Sequence, residues 1–511
     1  MITRAKALLC LTMLLTALTV QAQLELCTEG QLTASTGEHT PLWLNANKYG
    51  MSSLEKTNGY LRAGLFRSME EDSLRHWAFA GGADVTIAAG NTSTLIIQQL
   101  YGELRWLKGR LTIGSKQQPM ELKNQQLSSG AQTLGINARP VPSIRLSLPD
   151  YWWVPFTKGW LGLKGHIAYG MQTDDRWQRE FTEAAQKRTE HAKLHTKAGY
   201  LRIGKLGKPV SVEMGLEMAC QFGGTSFADI GQGMTRIKNE DGLKGMARAF
   251  IPSGGDVGED LYENKAGNHV GSYLLRVNLD FKQWYLALYA DHFFEDHSQM
   301  FYLDYNGYGE GDEFNVWKHN RYFVYDFKDI MLGAELKLKN ITWLDNIVVE
   351  YIYSKYQSGP IYHDRTRNLA DHIGGRDNYY NHYMHTGWQH WGQVMGNPLY
   401  RSPLYNTDHQ VAVENNRFWA WHLGLSGHPI APLHYRVLAT WQRGWGTYDL
   451  PFVNPEHNFS WMAEAEYKFA EQTALAGWNV KAAVGMDRGQ ILGNNFGGQI
   501  TIAKRFALHS K

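Results

Sequence analysis

P-V-S-V-E-M-G-L-E-M-A-C-Q-F, residues 209–222, puts an apolar side chain at every second position from Val210 to Cys220, with Ser211, Glu213, Gly215, Glu217, Ala219 and Gln221 between them. A period of two marks a strand, because successive side chains point to opposite faces. One face carries two carboxylates and the other is apolar, so the strand divides polar from apolar surroundings. The wall of a transmembrane barrel does this, with lipid outside and a polar lumen within. The pattern recurs in Trp77, Phe79, Ala83, Val85 and Ile87, in Tyr273, Leu275, Val277, Leu279 and Phe281, and in Trp478, Val480, Ala482, Val484 and Met486.

The start of the chain gives the compartment. Arg4 and Lys6 precede an apolar run from Ala7 to Val20, and Val20-Gln21-Ala22 fits a small-residue cleavage signal, so residues 1–22 read as a secretory leader. Cys10 lies too early for a lipid anchor, and Cys27 follows Leu-Glu-Leu instead of small residues. Beyond residue 23 no apolar run is long enough for a membrane helix. No linker or composition break divides residues 23–511, which are expected to form one barrel domain. Lysines and arginines number 51 against 49 acids, so no basic excess points to nucleic acid. Cys27 and Cys220 could pair in an oxidising compartment, but Cys220 falls on the apolar, lipid-facing side of its strand, which disfavours pairing.

Two-faced segments are expected near 29–45, 58–68, 76–88, 93–106, 110–117, 142–147, 159–171, 190–204, 209–221, 271–281, 283–294, 328–339, 346–356, 411–427, 433–445, 457–469, 474–487 and 495–506. The fold class is therefore all-β, an up-and-down antiparallel transmembrane barrel of about eighteen strands. In the second half short connections (205–208, 282, 340–345, 428–432, 470–473) trade places with long ones (172–189, 222–270, 295–327, 357–410). Outer-membrane barrels have short periplasmic turns and long outer loops, so the long set faces the cell exterior. The last strand, ending at Phe506, resembles the terminal strand by which the barrel-assembly machinery recognises its clients. Eighteen Trp and twenty-seven Tyr suit the aromatic girdles of such a wall.

A barrel this wide leaves an aqueous lumen unless something fills it. Glu213, Glu217, Arg276, Asp280, Glu335, Lys337, Glu350, Glu464, Glu466 and Lys468 are expected to point inward. Both signs are present, which favours a cross-lumen ion-pair lattice over a selective filter.

The loop 357–410 is poor in aliphatics and rich in Tyr, Trp, His, Asn and Asp. Flat rings beside planar polar groups suit sugars, whose C–H faces stack on aromatics while hydroxyls take hydrogen bonds. Arg376, Asp377, Tyr379, Tyr380, His385, Trp388, His390 and Trp391 are the candidate carbohydrate-binding residues. Loop core or girdle is the plainer role for any one of those rings. His382, His385 and His390 with Asp364 or Asp377 could also bind zinc, but no H-E-x-x-H or paired C-x-x-C accompanies them. No nucleophile elbow, phosphate loop or dinucleotide fingerprint appears, so neither cofactor nor catalysis is expected. H-F-F-E-D-H-S at 292–298 places acid, base and hydroxyl on alternating faces of one strand, which is no preassembled triad.

Several runs together resemble the Wzi-type capsule assembly proteins in the form found in Bacteroidetes: T-P-L-W-L-N-A-N-K-Y-G from Thr40, L-S-S-G from Leu127, N-A-R-P-V-P from Asn137, H-F-F-E-D-H-S from His292, E-Y-I-Y-S-K-Y-Q-S-G-P-I-Y-H-D from Glu350, G-N-P-L-Y from Gly396 and G-T-Y-D-L-P-F from Gly446. The resemblance implies an eighteen-stranded outer-membrane barrel acting as a non-catalytic surface lectin that holds capsular polysaccharide and supports its assembly. Its implied partners are surface polysaccharide, outer-membrane lipid and lipopolysaccharide, and the barrel-assembly machinery. The alternative is an oligosaccharide porin, which needs an open lumen where a lectin needs only an exposed loop surface.

Overall fold

The computed structural model describes residues 24–69, 76–229, 231, 233–251, 267–295, 327–359 and 376–508, and the backbone of 301–304, 321–324, 362–364 and 372–374. The expected leader at 1–22 lies outside the described residues. Eighteen strands form one antiparallel sheet. They are β1 Leu24–Thr36, β2 Thr57–Arg67, β3 Trp77–Ala89, β4 Leu95–Trp106, β5 Gly109–Ser115, β6 Ser143–Trp153, β7 Leu161–Met171, β8 Lys193–Ile203, β9 Val210–Phe222, β10 Asn268–Asp280, β11 Trp284–Glu295, β12 Ile330–Leu338, β13 Asn346–Tyr353, β14 Phe418–Ile430, β15 Leu433–Gly446, β16 Pro451–Lys468, β17 Trp478–Gly489 and β18 Asn495–Leu508. Strand β18 returns to β1, with Leu508 opposite Leu24 and Phe496 opposite Thr36, so the sheet closes and every backbone group along the seam has a partner.

The alternation read from residues 209–222 sorts the two faces of β9. Val210, Met214 and Leu216 are exposed, while Ser211, Glu213, Gly215 and Glu217 are buried on the lumen side. Leu32, Leu61, Ile87 and Leu146 stand more than 60% exposed on the outside of the wall. Rings flank this apolar band: Trp77 stacks on Trp106 at the end with short turns, and Trp419 meets Trp441 edge-on at the other. A closed wall with an apolar belt between aromatic girdles places the protein in the outer membrane as a β-barrel.

Three expectations need correction. The wall strand proposed at 29–45 ends at Thr36, and residues 37–56 turn into the lumen with a single helical turn at Leu42–Asn45. Pro41 has no N–H to give a ladder, and L-W-L-N after it has no period of two. The strict trade between long and short connections also fails, because 447–450 and 490–494 are short yet lie at the same end as the long loops. The end assignment itself is unaffected. Finally, Cys220 points outward but does not meet lipid. Helix Gly242–Phe250 covers that stretch of wall, where Cys220 packs with Phe222 and Ala249. The two described cysteines, Cys27 and Cys220, do not form a disulfide.

Candidate functional site

The lumen is filled by polypeptide, and this fixes what the protein can present to either side. Residues 116–142 leave β5 and cross the interior before rejoining the wall at β6. Several inward-facing polar residues of the wall take hold of a point on this segment, while others, such as Glu213 with Arg202 and Glu217 with Tyr200, pair along the wall. Arg276 donates to the Leu122 carbonyl at 2.9 Å and Asn124 donates to Glu335 at 2.8 Å. Lys123 pairs with Asp291 at 2.9 Å. Across the barrel Arg436 donates to the Gln126 carbonyl at 2.9 Å, and His422 Nε2 donates to the Leu127 carbonyl at 2.8 Å. Glu350 accepts from the Ser128 hydroxyl at 2.6 Å, the Ser129 amide at 2.8 Å, the Ser129 hydroxyl and the Tyr289 hydroxyl. The wall glycine Gly424 makes room for this contact, since a Cβ there would collide with the Leu127 carbonyl. Arg276 on β10 and Glu335 on β12, with β11 between them, form an ion pair along the wall, and the expected lattice closes on a polypeptide plug as well as on itself.

Two further segments pack on this one. From 37–56, the Trp43 indole donates to Thr440 at 3.2 Å and Asn47 donates to the Ser129 carbonyl at 2.9 Å. From 376–417, the Trp388 indole donates to the Thr133 carbonyl at 2.8 Å, His390 Nδ1 donates to the Arg139 carbonyl at 2.9 Å and Asn397 donates to the Gly130 carbonyl at 3.1 Å. Trp43, Leu44, Leu127, Phe293, Tyr380 and Trp388 belong to one buried cluster inside the barrel. The interior is thus a hydrophobic core ringed by a polar shell.

This placement divides the eight sugar-binding candidates. Tyr379, Tyr380, Trp388, His385 and His390 are at most 2% exposed and offer no face to a saccharide. Tyr380 stacks on Tyr400 with centroids 4.1 Å apart, and its hydroxyl donates to the Gln132 carbonyl. The expected stacking surface is therefore corrected at these five positions, where the rings serve as core. Without aliphatics, a loop that must pack uses aromatic rings, and their polar tips satisfy buried backbone groups. Arg376 is exposed, and Asp377, half-buried, accepts from Ser358 at 2.6 Å. Trp391 is half-buried, with the Arg139 guanidinium 4.4 Å from its ring centre. Tyr383, absent from the candidate set, is the ring of this stretch that stands most open.

The histidines are committed elsewhere. His382 Nδ1 accepts from the amides of Met384 and His385, each at 3.1 Å, while His390 lies against Thr173 and Arg139. Among the described residues no three potential metal ligands converge. Asp364 lies among residues whose side chains are not described. Burial pushes His385 down to about 4, so its ring is neutral at physiological pH. At the head of β12, Asp329 receives the amides of Tyr356 at 3.0 Å and Gln357 at 2.7 Å, and burial raises its carboxyl to about 7. In the 292–298 run, His292 donates to the Asp329 carbonyl at 2.8 Å, while Glu295, with the opposite strand parity, accepts from the Tyr380 amide at 2.6 Å.

Among the described residues, two recesses lie inside the wall. One of about 140 Å³ lies beside residues 116–142 and is lined by Lys116, Glu121, Arg145, His166, Tyr200 and Glu217 among others. The second, about 470 Å³, opens at the short-turn end around Arg202, Glu213, Arg276 and Tyr285.

No family model and no curated protein matches the sequence. Among solved structures the chain is similar to OccK5 (OpdH) of Pseudomonas aeruginosa, with 8% identity, a TM-score of 0.46 and coverage of 96% of this chain and 98% of that one. It is also similar to OccAB4 of Acinetobacter baumannii, with 10% identity, a TM-score of 0.44 and coverage of 96% and 99%. OmpTdeltaL8, a loop-deleted form of an outer membrane protein of Vibrio cholerae, aligns at 8% identity and a TM-score of 0.36 over 95% and 100%. Identities this low concern the fold alone.

Proposed function

We propose that this outer-membrane barrel is a closed, non-catalytic platform that binds surface polysaccharide on its extracellular roof and supports capsule assembly, the role implied by the Wzi-type resemblance. The observation that carries the reading is the filled lumen. Among the described residues a core of buried rings and aliphatics packs inside the barrel, and three inward segments tie the roof to the wall. A rigid roof keeps accessible groups such as Arg376, Asp377, Tyr383 and Trp391 in fixed positions, which lowers the ordering cost of binding a long polymer. Many copies engaging one chain then multiply weak contacts.

The second reading is a solute channel. The two recesses favour it, because they lie on either side of the stretch around Glu121 and Leu122, and displacement of that stretch would join them. One experiment separates the readings. The purified barrel in a planar bilayer is expected to show no steady single-channel conductance. In parallel, Trp391→Ala with Arg376→Ala is expected to lower retention of isolated capsular polysaccharide several-fold at unchanged barrel abundance. Steady open-channel current with unaltered polysaccharide retention would favour the channel.

A further inference from the structure

The outside of the wall at the extracellular end of β13–β16 is ordered in rows by the strand register. Tyr351, Trp421, Trp441 and Phe459 are neighbours across four strands and make a continuous row of rings. Trp421 is 50% exposed and faces outward. One step nearer the exterior the row is Tyr353, Trp419, Arg443 and His457. The next step brings Lys355, Arg417 and Trp445 together: the Trp445 amide donates to the Arg417 carbonyl at 2.8 Å, and Arg417 Nε donates to the Lys355 carbonyl at 3.1 Å. From lipid toward water, rings thus give way to cations.

These cations lie close together and, among the described residues, have no acidic partner. Lys355 Nζ sits 4.1 Å and the Arg443 guanidinium 5.2 Å from the centre of the same Trp445 ring. Arg417 stacks on Tyr448 at 3.6 Å, and the Tyr448 hydroxyl is fixed by the Tyr356 carbonyl at 2.8 Å. Among the described residues none of the three forms an ion pair with a carboxylate, and Arg443 Nε is shielded with no hydrogen-bond partner. Burial, and after it the like charges of Arg417 and Arg443, lower Lys355 from the ordinary lysine range. Three uncompensated cations held by rings form a site that is complete only with an anion.

We propose that Lys355, Arg417 and Arg443 bind a phosphate group on the headgroup of a phosphorylated outer-leaflet glycolipid. Position selects this occupant. The cations lie on the lateral face of the barrel, two to four residues beyond the ring row in strand register, and such girdles sit at the headgroup level of a bilayer. An acidic polysaccharide would approach from the roof, which is a different surface. The inference stands independently of the proposed function.

The test uses the full-length barrel in neutral detergent and native mass spectrometry, with bisphosphorylated lipid A and its dephosphorylated form as probes. The wild type is expected to retain the phosphorylated lipid at least tenfold better, and Lys355→Gln/Arg417→Gln/Arg443→Gln to lose that preference while keeping its heat-modifiable gel mobility. Should the triple variant not fold, Lys355→Gln alone, beyond the end of β13, is expected to cut the preference about threefold. Retention of the preference in whichever variant folds overturns the proposal. Displacement of the lipid by millimolar inorganic phosphate also overturns it, as that marks a site for free anions, and so does a variant that loses acidic polysaccharide but not lipid.

Discussion

Two tryptophans three residues apart in the roof do different work. Trp388 is 1% exposed and tied to the Thr133 carbonyl, whereas Trp391 lies partly open with its indole donating to Thr173 at 3.2 Å. Removing a buried indole leaves a cavity and an orphaned carbonyl, which costs about 3–5 kcal/mol. Trp388→Ala is therefore expected to raise hydrogen exchange sharply in residues 380–400, and Trp391→Ala to leave it near wild type. Asp329 gives a pH-dependent counterpart. Its carboxyl titrates near 7 in the folded protein, above its ordinary value of 3.8, so its contribution is fully present below about 4 and is lost as pH rises through about 7. The midpoint of heat-induced mobility change is expected to fall over that window in the wild type more than in Asp329→Asn. Parallel profiles for the two proteins would remove Asp329 as the cause.

At the scale of the strand, the period of two makes substitutions depend on face more than on residue type. Val277, opposite Val212 on the lipid side, should not tolerate arginine, because a charge near the bilayer midplane costs about 2–4 kcal/mol. Lumen positions would be milder in an open lumen, but Gly215 faces a packed part of the interior. A Cβ on Gly215 would sit 2.6 Å from the Tyr200 ring. Val277→Arg and Gly215→Arg are therefore both expected to reduce folded barrel in outer-membrane fractions, the first by blocking insertion and the second by overpacking. Normal yield of Gly215→Arg would show the plug to be looser than its packing implies. Topology is checked with single cysteines on intact cells: positions 250 and 376 are expected to label, and 206 and 471 are not. Position 380 lies on the outer side but is buried, which makes it a poor reporter.

For the whole molecule, the three inward segments convert a wide barrel into a solid one. The runs at Thr40, Leu127, Asn137 and Gly396 on which the resemblance to Wzi-type proteins rests all fall in these segments, and Glu350 is the wall carboxylate that receives Ser128 and Ser129. Replacing residues 118–138 by a short Gly/Ser linker should leave the closed hydrogen-bond ladder intact while opening the lumen. The shortened barrel is expected to insert and to conduct ions, and the full-length protein is expected to stay silent in the same assay. A silent, folded deletion variant would mean that the roof alone seals the lumen.

Periodicity decided the wall, because a strand between lipid and a polar interior must write that contrast into alternate residues. Strand number, closure and the inward set from Glu213 to Lys468 were legible for that reason, and orientation from the lengths of the connections. The plug was not. Residues 116–142 carry no period, since each residue meets a different partner in three dimensions: Lys123 meets Asp291, Asn124 meets Glu335 and Gln126 meets Arg436. The same rings that suit a sugar surface also suit a dry core, and composition cannot separate the two. Only the closure of the barrel around the loop buried Tyr379, Tyr380 and Trp388 and left Trp391 partly in water, because burial depends on what the rest of the chain brings alongside.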